Sequence, residues 1–339
     1  MANFASDNTA PVHPKVFQAL LSANDGNVSA YGNDPFTEAL QTHFRATFDN
    51  PDLRAFPVFN GSACNGLALA RMISPYESVL AHQQSHINND ECGLPEFFTG
   101  GKIIGLLGEH AKLSVKSLGT LVETSLGHAP HTSRPKVISL TQSTELGTVY
   151  SLAELKALTG FAKSHALYIH MDGARIANAV ASLGCTPAEV TAGVDILSFG
   201  GTKNGAMLAE AAVILNPNLI QDFAYIHKRA GQLPSKARYI SAQLLALLED
   251  DLWLDLGRAS NGQAQALRSG LLALPGVNLL HPVEANELFI TLPKAMADTL
   301  FAKGHRFYNW PNEGPDAYRL VTSFNTTDED VRSFLNDCG

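Results

Sequence analysis

Cysteine is scarce in this chain: four residues in 339, Cys64, Cys92, Cys185 and Cys338, far apart and with no C-x-x-C pair. That spacing excludes a disulfide framework and a cysteine-built zinc site, and fits reduced thiols in a cytoplasmic protein. Long apolar runs are missing too; no stretch of about 18 apolar residues exists to cross a bilayer. The first residues, MANFASDNTAPVHPK, have neither a basic head nor an apolar core, so a secretory signal is not expected. Basic charge is in deficit, with 24 Lys and Arg against 32 Asp and Glu and a net charge of −8. A surface of that sign excludes nonspecific binding to nucleic acid or anionic membranes, both of which need basic patches. Two nucleotide signatures are also absent. No G-K-[ST] follows a glycine loop, and no G-x-G-x-x-G opens a helix.

What is present is an ordinary globular balance, 45% hydrophobic and 17% charged, so the chain is expected to fold rather than stay disordered. Its length suits one large domain and a smaller one. From about residue 54 to 215, short apolar runs alternate with helical patterns. Strands are predicted at 54–58, 78–82, 102–107, 136–141, 166–171, 194–199 and 209–215. Between two of them Ser151 and Glu154 form a capping box, with Leu152, Leu155, Leu158 and Phe161 following at helical spacing. A second helix, Ala174 to Leu183, bridges the next pair. This alternation predicts an α/β fold, a mostly parallel central sheet flanked by helices. A long helix is predicted at 236–252. Beyond it come helices near 260–274 and 293–303, strands at 277–281, 286–292 and 317–322, and a last helix opened by Thr326-x-x-Glu329. The expected division is a large domain over 1–250, with an N-terminal segment of about 1–25, and a small C-terminal α+β domain over 251–339.

Ligands of open parallel sheets bind beyond the carboxyl ends of the strands. The predicted strand 166–171 ends in HMDGAR, which puts Asp172 at that end and Arg175 in the next turn. Strand 194–199 ends in SFGGTKNG, a glycine-rich turn with a lone lysine, Lys203, near its tip. Asp172 and Lys203 then face one crevice; taken alone, they could equally form a plain ion pair. Near the start of the sheet, Asn60, Gly61, Ser62 and Ala63 open a helical stretch, and unpaired amides at such a start suit a phosphate. His82 and His86 sit in a loop-like stretch near Asp90 and Glu91, which does not place both rings on one helical face, and no metal site is expected. His128 and His131 fall in the proline-containing loop before strand 136–141, taken here as a connection adjoining the carboxyl ends.

Together these segments resemble the L-threonine aldolases, within the fold-type-I pyridoxal-phosphate enzymes and the group that also holds the β-eliminating lyases. The resemblance runs over nearly the whole chain: SDNTAPVHP at 6–14, YGNDP at 31–35, NGSACN at 60–65, SHINNDECGLPEFFTGGK at 85–102, HMDGARIANA at 170–179, SFGGTKNG at 198–205 and YRLVTS at 318–323. The lysine segment is most similar to the low-specificity and phenylserine-cleaving branch. One departure is the E-N-T-H-N stretch of other threonine aldolases, which here reads Thr141-Gln142-Ser143-Thr144-Glu145.

The resemblance implies pyridoxal 5'-phosphate as cofactor and assigns roles. Lys203 is the Schiff-base lysine, and the glycines let its turn approach the cofactor. Asp172 pairs with the pyridine nitrogen, so that the ring acts as an electron sink. Gly61, Ser62 and Ala63 hold the phosphate, and His86 stacks on the ring. Arg175, Arg319 and Ser6 grip the substrate carboxylate, for which an arginine fork is suited. Arg238 reaches a phosphate, as a contact across a subunit interface. His131, with His86 as the other candidate, handles the β-hydroxyl proton. The implied reaction is retro-aldol cleavage of L-threonine, L-allo-threonine or a related β-hydroxy amino acid such as phenylserine to glycine and an aldehyde. The implied assembly is a cytoplasmic homotetramer with shared active sites. A β-eliminating lyase or aminotransferase on the same fold is the alternative, since Lys203, Asp172 and the phosphate loop serve all three. A cofactor carrier without turnover would not need Arg175 and Arg319.

Overall fold

A computed structural model describes residues 1–338. Seven strands form the central sheet: β1 Arg54–Val58, β2 Glu77–His82, β3 Lys102–Leu106, β4 Arg134–Thr141, β5 Tyr168–Gly173, β6 Ile196–Gly200 and β7 Glu210–Ile214. Their order is β1-β7-β6-β5-β4-β2-β3. Neighbours from β6 across to β3 pair in parallel, whereas β7 runs antiparallel to both β6 and β1. β2, β6 and β7 are buried at every residue. Strands covered on both faces need apolar side chains in succession, which is why these read as continuous runs rather than alternations.

Helices cover the sheet because each presents an apolar stripe to it. Leu155, Leu158 and Ala162 of the helix Leu152–Ser164 are buried, and the expected capping box fixes its start, Ser151 and Glu154 bonding reciprocally. The helix Ile176–Leu183 stops at Gly184, which adopts φ 61° and so takes the left-handed conformation that ends helices. The predicted long helix stops earlier than expected, spanning Arg238–Leu248. Asp250 and Asp251 take φ 52° and 54°, which breaks the helical path before a new helix runs from Leu252 to Leu272.

A second sheet, ordered β10-β11-β9-β8, is made of β8 Asn278–Leu279, β9 Glu287–Thr291, β10 Tyr308–Asn309 and β11 Ala317–Val321. It packs against the helices Leu252–Leu272, Lys294–Ala302 and Asp328–Cys338 through Leu267, Leu288, Ile290, Leu320 and Phe334. Ala2 and Phe4, expected with the N-terminal segment of the large unit, pack into this core. The Phe4 amide donates to Arg306 at 2.7 Å, and its carbonyl accepts from Val321 at 2.8 Å. The last helix is capped one residue later than predicted. Thr327 and Asp330 form the reciprocal pair, because the Thr326 hydroxyl accepts instead from the Ser323 amide at 2.9 Å.

Candidate active site

β4, β5 and β6 end side by side, and Thr141, Asp172 and the turn that follows β6 line a cleft. One chamber of about 500 Å³ is lined by Ser62, His86, Glu91, Asp172, Lys203 and Glu210, among others. A second, of about 400 Å³, is lined by Ser6, Asp90, Glu287, Trp310 and Arg319. Asn8, His86, Glu145, Arg175 and Lys203 line both, so the two chambers are parts of one cleft.

Lys203 stands on the turn between β6 and β7 and is half-buried. Among the described residues it has no hydrogen-bond or ion-pair partner, so the plain Asp172–Lys203 pair does not form. The glycines around it answer to the protein's own backbone. A side chain at Gly200 would collide with the Ala174 backbone and one at Gly201 with the Ala209 carbonyl, while Gly205 takes φ +96°. Glu210 braces the turn, accepting from the Gly201 amide at 2.8 Å and the Thr202 amide at 3.3 Å. Burial pushes its carboxyl up to about 7, against those hydrogen bonds.

Asp172 is 5% exposed at the end of β5. Its Oδ1 accepts from the Ala174 amide at 3.0 Å and its Oδ2 from Asn65 Nδ2 at 2.9 Å. The same Asn65 nitrogen donates to Glu91 Oε1 at 2.8 Å, and that oxygen meets His86 Nδ1 at 2.8 Å. Asp172, Asn65, Glu91 and His86 are thus one polar chain. The hydrogen bond to Glu91 raises the His86 pKa, and burial raises that of Glu91. Asn65 Oδ1 and Glu91 Oε2 are sealed from solvent with no partner.

The helix Gly61–Met72 points its amino end at this chamber, and Asn60 caps it by accepting from the Ala63 amide at 2.8 Å. That bond corrects the expectation for Ala63: its N–H is already taken and its side chain is buried behind the wall. Gly61 and Ser62 do line the chamber. A Cβ built on Gly61 meets nothing within 4 Å, so open space lies over the helix start, where unpaired N–H groups and the positive end of the macrodipole receive an anion.

At the other chamber, Asp7 grips Arg175 through two bonds, Nε to Oδ2 at 2.6 Å and Nη2 to Oδ1 at 3.0 Å. Arg175 Nη1 lies 3.2 Å from Glu287 Oε2, and Arg319 donates Nε and Nη2 to Glu287 Oε1 at 3.1 and 2.6 Å. Burial works against the Asp7 charge, but Arg175 and the nearby Lys203 outweigh it and hold its pKa down at about 2. Ser6 lines the chamber, its hydroxyl accepting from the Asn8 amide at 3.2 Å.

Two expected residues lie elsewhere in this chain. The loop carrying His131 leads into β4, so it adjoins the amino end of that strand and not the cleft. β4 spans eight residues, and at ~3.3 Å per residue its two ends are roughly 23 Å apart. His131 is exposed and its ring packs on His128, the centroids 5.3 Å apart. Arg238 begins the helix Arg238–Leu248 and donates to the Gly26 carbonyl at 3.1 Å, outside both chambers. His82 is structural, its Nε2 3.1 Å from the Gly108 carbonyl and its Nδ1 accepting from the Gln84 amide at 3.2 Å. No group of three His, Cys, Asp or Glu able to hold a metal occurs among the described residues. Sequence reading missed Asn65, Glu210, Glu287, Asp7 and Glu145; Asp7 and Asn65 lie inside the quoted segments SDNTAPVHP and NGSACN, the one available signal.

The donor set fits pyridoxal phosphate: helix amides for a phosphate, a buried carboxylate for the ring nitrogen and an unpaired amine between them. Residues 3–295 match the model of the β-eliminating lyase family. The chain is 43% identical to the low specificity L-threonine aldolase of Pseudomonas sp. (strain NCIMB 10558), over 98% of this chain and 96% of that one. It is 42% identical to the enzyme of the same name from Pseudomonas aeruginosa, with the same coverage of both chains. Its fold is similar to that of Leishmania major threonine aldolase, with TM-score 0.94 and 28% identity over all of this chain and 98% of that one. A solved structure of SPT carrying PLP shares the fold at TM-score 0.72 and 17% identity, over 99% of this chain and 86% of that one. With a buried carboxylate and an unpaired lysine at adjacent strand ends and a family match across most of its length, the chain belongs to the β-eliminating lyase family.

Proposed function

We infer that this chain is a pyridoxal-phosphate-dependent aldehyde-lyase that cleaves L-threonine or a related β-hydroxy amino acid to glycine and an aldehyde. The observation that carries the reading is the cleft itself: an unpaired lysine where a carboxylate chamber meets a two-arginine chamber. When bound, pyridoxal phosphate supplies an electron sink for the bonding pair released at Cα. Lys203 would hold it covalently, Asp172 would keep its ring nitrogen protonated, and Gly61 and Ser62 would receive its phosphate. His86, fixed through Glu91, would lie on the ring face.

Arg175 and Arg319 would hold the substrate carboxylate, with Ser6 beside them. Fixing that group selects which bond at Cα stands perpendicular to the ring and therefore breaks. The acidic surface of the chain, net −8, makes a local arginine pair all the more necessary for an anionic substrate. Removing the β-hydroxyl proton requires a base within hydrogen-bond reach of that oxygen. An Arg238 contact to a neighbouring subunit's phosphate, homotetrameric assembly, a cytoplasmic location and a division at about residue 250 belong to the same proposal. The apolar clusters beneath the two sheets meet within the helix Leu252–Leu272, where Trp253 and Leu256 pack under the large sheet and Leu267 and Leu271 under the small one. No helix among the described residues is long and apolar enough to cross a membrane.

The test is product analysis after incubation with L-threonine, L-allo-threonine and β-phenylserine. Glycine and the matching aldehyde in equal amounts are expected. Pyruvate or another 2-keto acid with ammonia, or amino transfer to an added keto acid, would overturn the reading in favour of elimination or transamination.

A further inference from the structure

Glu145 has no part in the roles assigned so far, yet it sits where the two chambers join. It lines both, together with Lys203, His86 and Arg175. The segment that carries it follows β4 directly, on the carboxyl edge of the sheet. Its Oε1 is fully engaged, accepting from the Thr141 hydroxyl at 2.6 Å and from the His86 amide at 2.9 Å. Its Oε2 is sealed from solvent and has no partner. A carboxylate oxygen left bare in this way is strongly disfavoured unless a ligand group completes it.

We propose that Glu145 is the catalytic base of the cleavage, its unpartnered Oε2, brought into the cleft by rotation of the side chain, accepting the proton of the substrate's β-hydroxyl at the junction of the two chambers. The proposal rests on the aldolase reading above. The place suits the role: cofactor held on one side and carboxylate on the other leave Cβ and its hydroxyl between them. The proton moves from oxygen to Oε2, the O–H pair becomes the second C–O bond of the aldehyde, and the Cα–Cβ bond breaks with its pair left at Cα. Cα then takes one proton to give glycine, and Glu145 returns its proton to solvent.

His86 is the competing base, but its Nδ1 is committed to Glu91, and under the proposed function its ring would cover the cofactor face. Burial holds the Glu145 carboxyl up at about 7, against the hydrogen bonds it accepts, which matches a base working near neutrality. The charged groups facing it are His86 and Asp90 from the segment after β2, Asp172 and Arg175 from the end of β5, and Lys203 from the β6 turn. Glu287 and Arg319 face it from the second sheet, and Tyr150 lies on its own loop. The charge of Asp172 raises its pKa further.

The decisive variant is Glu145→Gln, whose amide oxygen can keep the bonds to Thr141 and His86 while the other position loses its basicity. The holoenzyme is compared with the variant on L-allo-threonine across pH, and on exchange of a glycine α-proton with deuterium, a step that involves no hydroxyl. Expected are unchanged cofactor absorbance, exchange within a few-fold of wild type, a fall in kcat/KM of about 10²–10⁴ and loss of the acidic limb of its pH profile. In the cofactor-free protein, ¹³C NMR should show two glutamate carboxyls titrating near pH 7, with Glu145→Gln removing one and Glu210 keeping the other. Cleavage within threefold of wild type, a retained acidic limb, or equal loss of exchange and cleavage would overturn the proposal. Wild-type protein that releases no glycine and aldehyde would overturn it through the aldolase reading, an outcome distinct from the others.

Discussion

The two chambers of the cleft handle charge in opposite ways. In the chamber around Asp172, carboxylates gather with too few cations: Glu91, Glu145 and Glu210 all have raised pKa values, and oxygens of Glu91 and Glu145 have no partner. In the chamber around Arg319, two cations face two carboxylates, and Asp7, Arg175, Glu287 and Arg319 form a closed run of ion pairs. The first is held in readiness for a large ligand that completes it. The run of ion pairs in the second is already neutral, so under the proposed function a substrate carboxylate would share arginines that Asp7 and Glu287 occupy. Such a site would bind a carboxylate modestly but keep its donors aimed, because each guanidinium plane is fixed by two hydrogen bonds before substrate arrives.

Breaking the first chamber has the largest expected effect. Lys203→Ala should abolish the visible absorbance of the bound cofactor and reduce cleavage to background, and borohydride should fix the cofactor on Lys203 in the unaltered protein. Label recovered on another lysine would dismantle the comparison at its root. Asp172→Asn comes next: cofactor retained, turnover lower by about 10²–10³-fold, the range for removing one preorganised electrostatic group. A near-normal rate in that variant would remove Asp172 from the ring-nitrogen role.

In the second chamber the effect should be smaller. Arg319→Ala removes charge-assisted bonds of ~1.5–3 kcal/mol, so kcat/KM should fall by about one to two powers of ten while cofactor affinity stays put. An equal loss of cofactor would show that the chambers are not separable.

The smallest effect is on stability, and it has opposite sign in the two chambers. Asp7, depressed from 3.8 to about 2, contributes about 2 kcal/mol that is present above pH ~4 and lost as pH falls through ~2. Glu145 and Glu210 are raised from 4.5 to about 7, so the folded form binds more protons there and cofactor-free protein should lose stability as pH rises from about 4.5 to 7. Urea titrations from about pH 2 to about pH 8 check both signs, and Glu210→Gln should flatten the upper slope. A slope unchanged in that variant would remove Glu210 from the account.

Much of this architecture was legible in the chain. The seven strands, the Ser151 capping box, and the Asp172 and Lys203 positions follow from local pattern plus the rule that ligands sit at carboxyl ends. His131 shows where that rule was misapplied, because a loop that precedes a parallel strand lies at its amino end, whatever its distance in sequence from the site. The pairing of Asn65 with Glu91 and Asp172, or of Glu287 with Arg319, joins residues distant in sequence and leaves no periodic trace. Glu145 was one acidic residue among 32, in a segment that departs from the family's pattern, and drew no role. Nothing local says that one of its oxygens is enclosed; only the fold does.

The antiparallel setting of β7 has a mechanical consequence. Gly200 and Glu210 are directly paired across β6 and β7, so the segment bearing Lys203 is closed at its base like a hairpin. A short loop pinned at both ends has few conformations left to lose. The lysine is therefore carried on a stiff mount, and in the proposed reaction it would move by its side chain alone, with the backbone beneath it standing still.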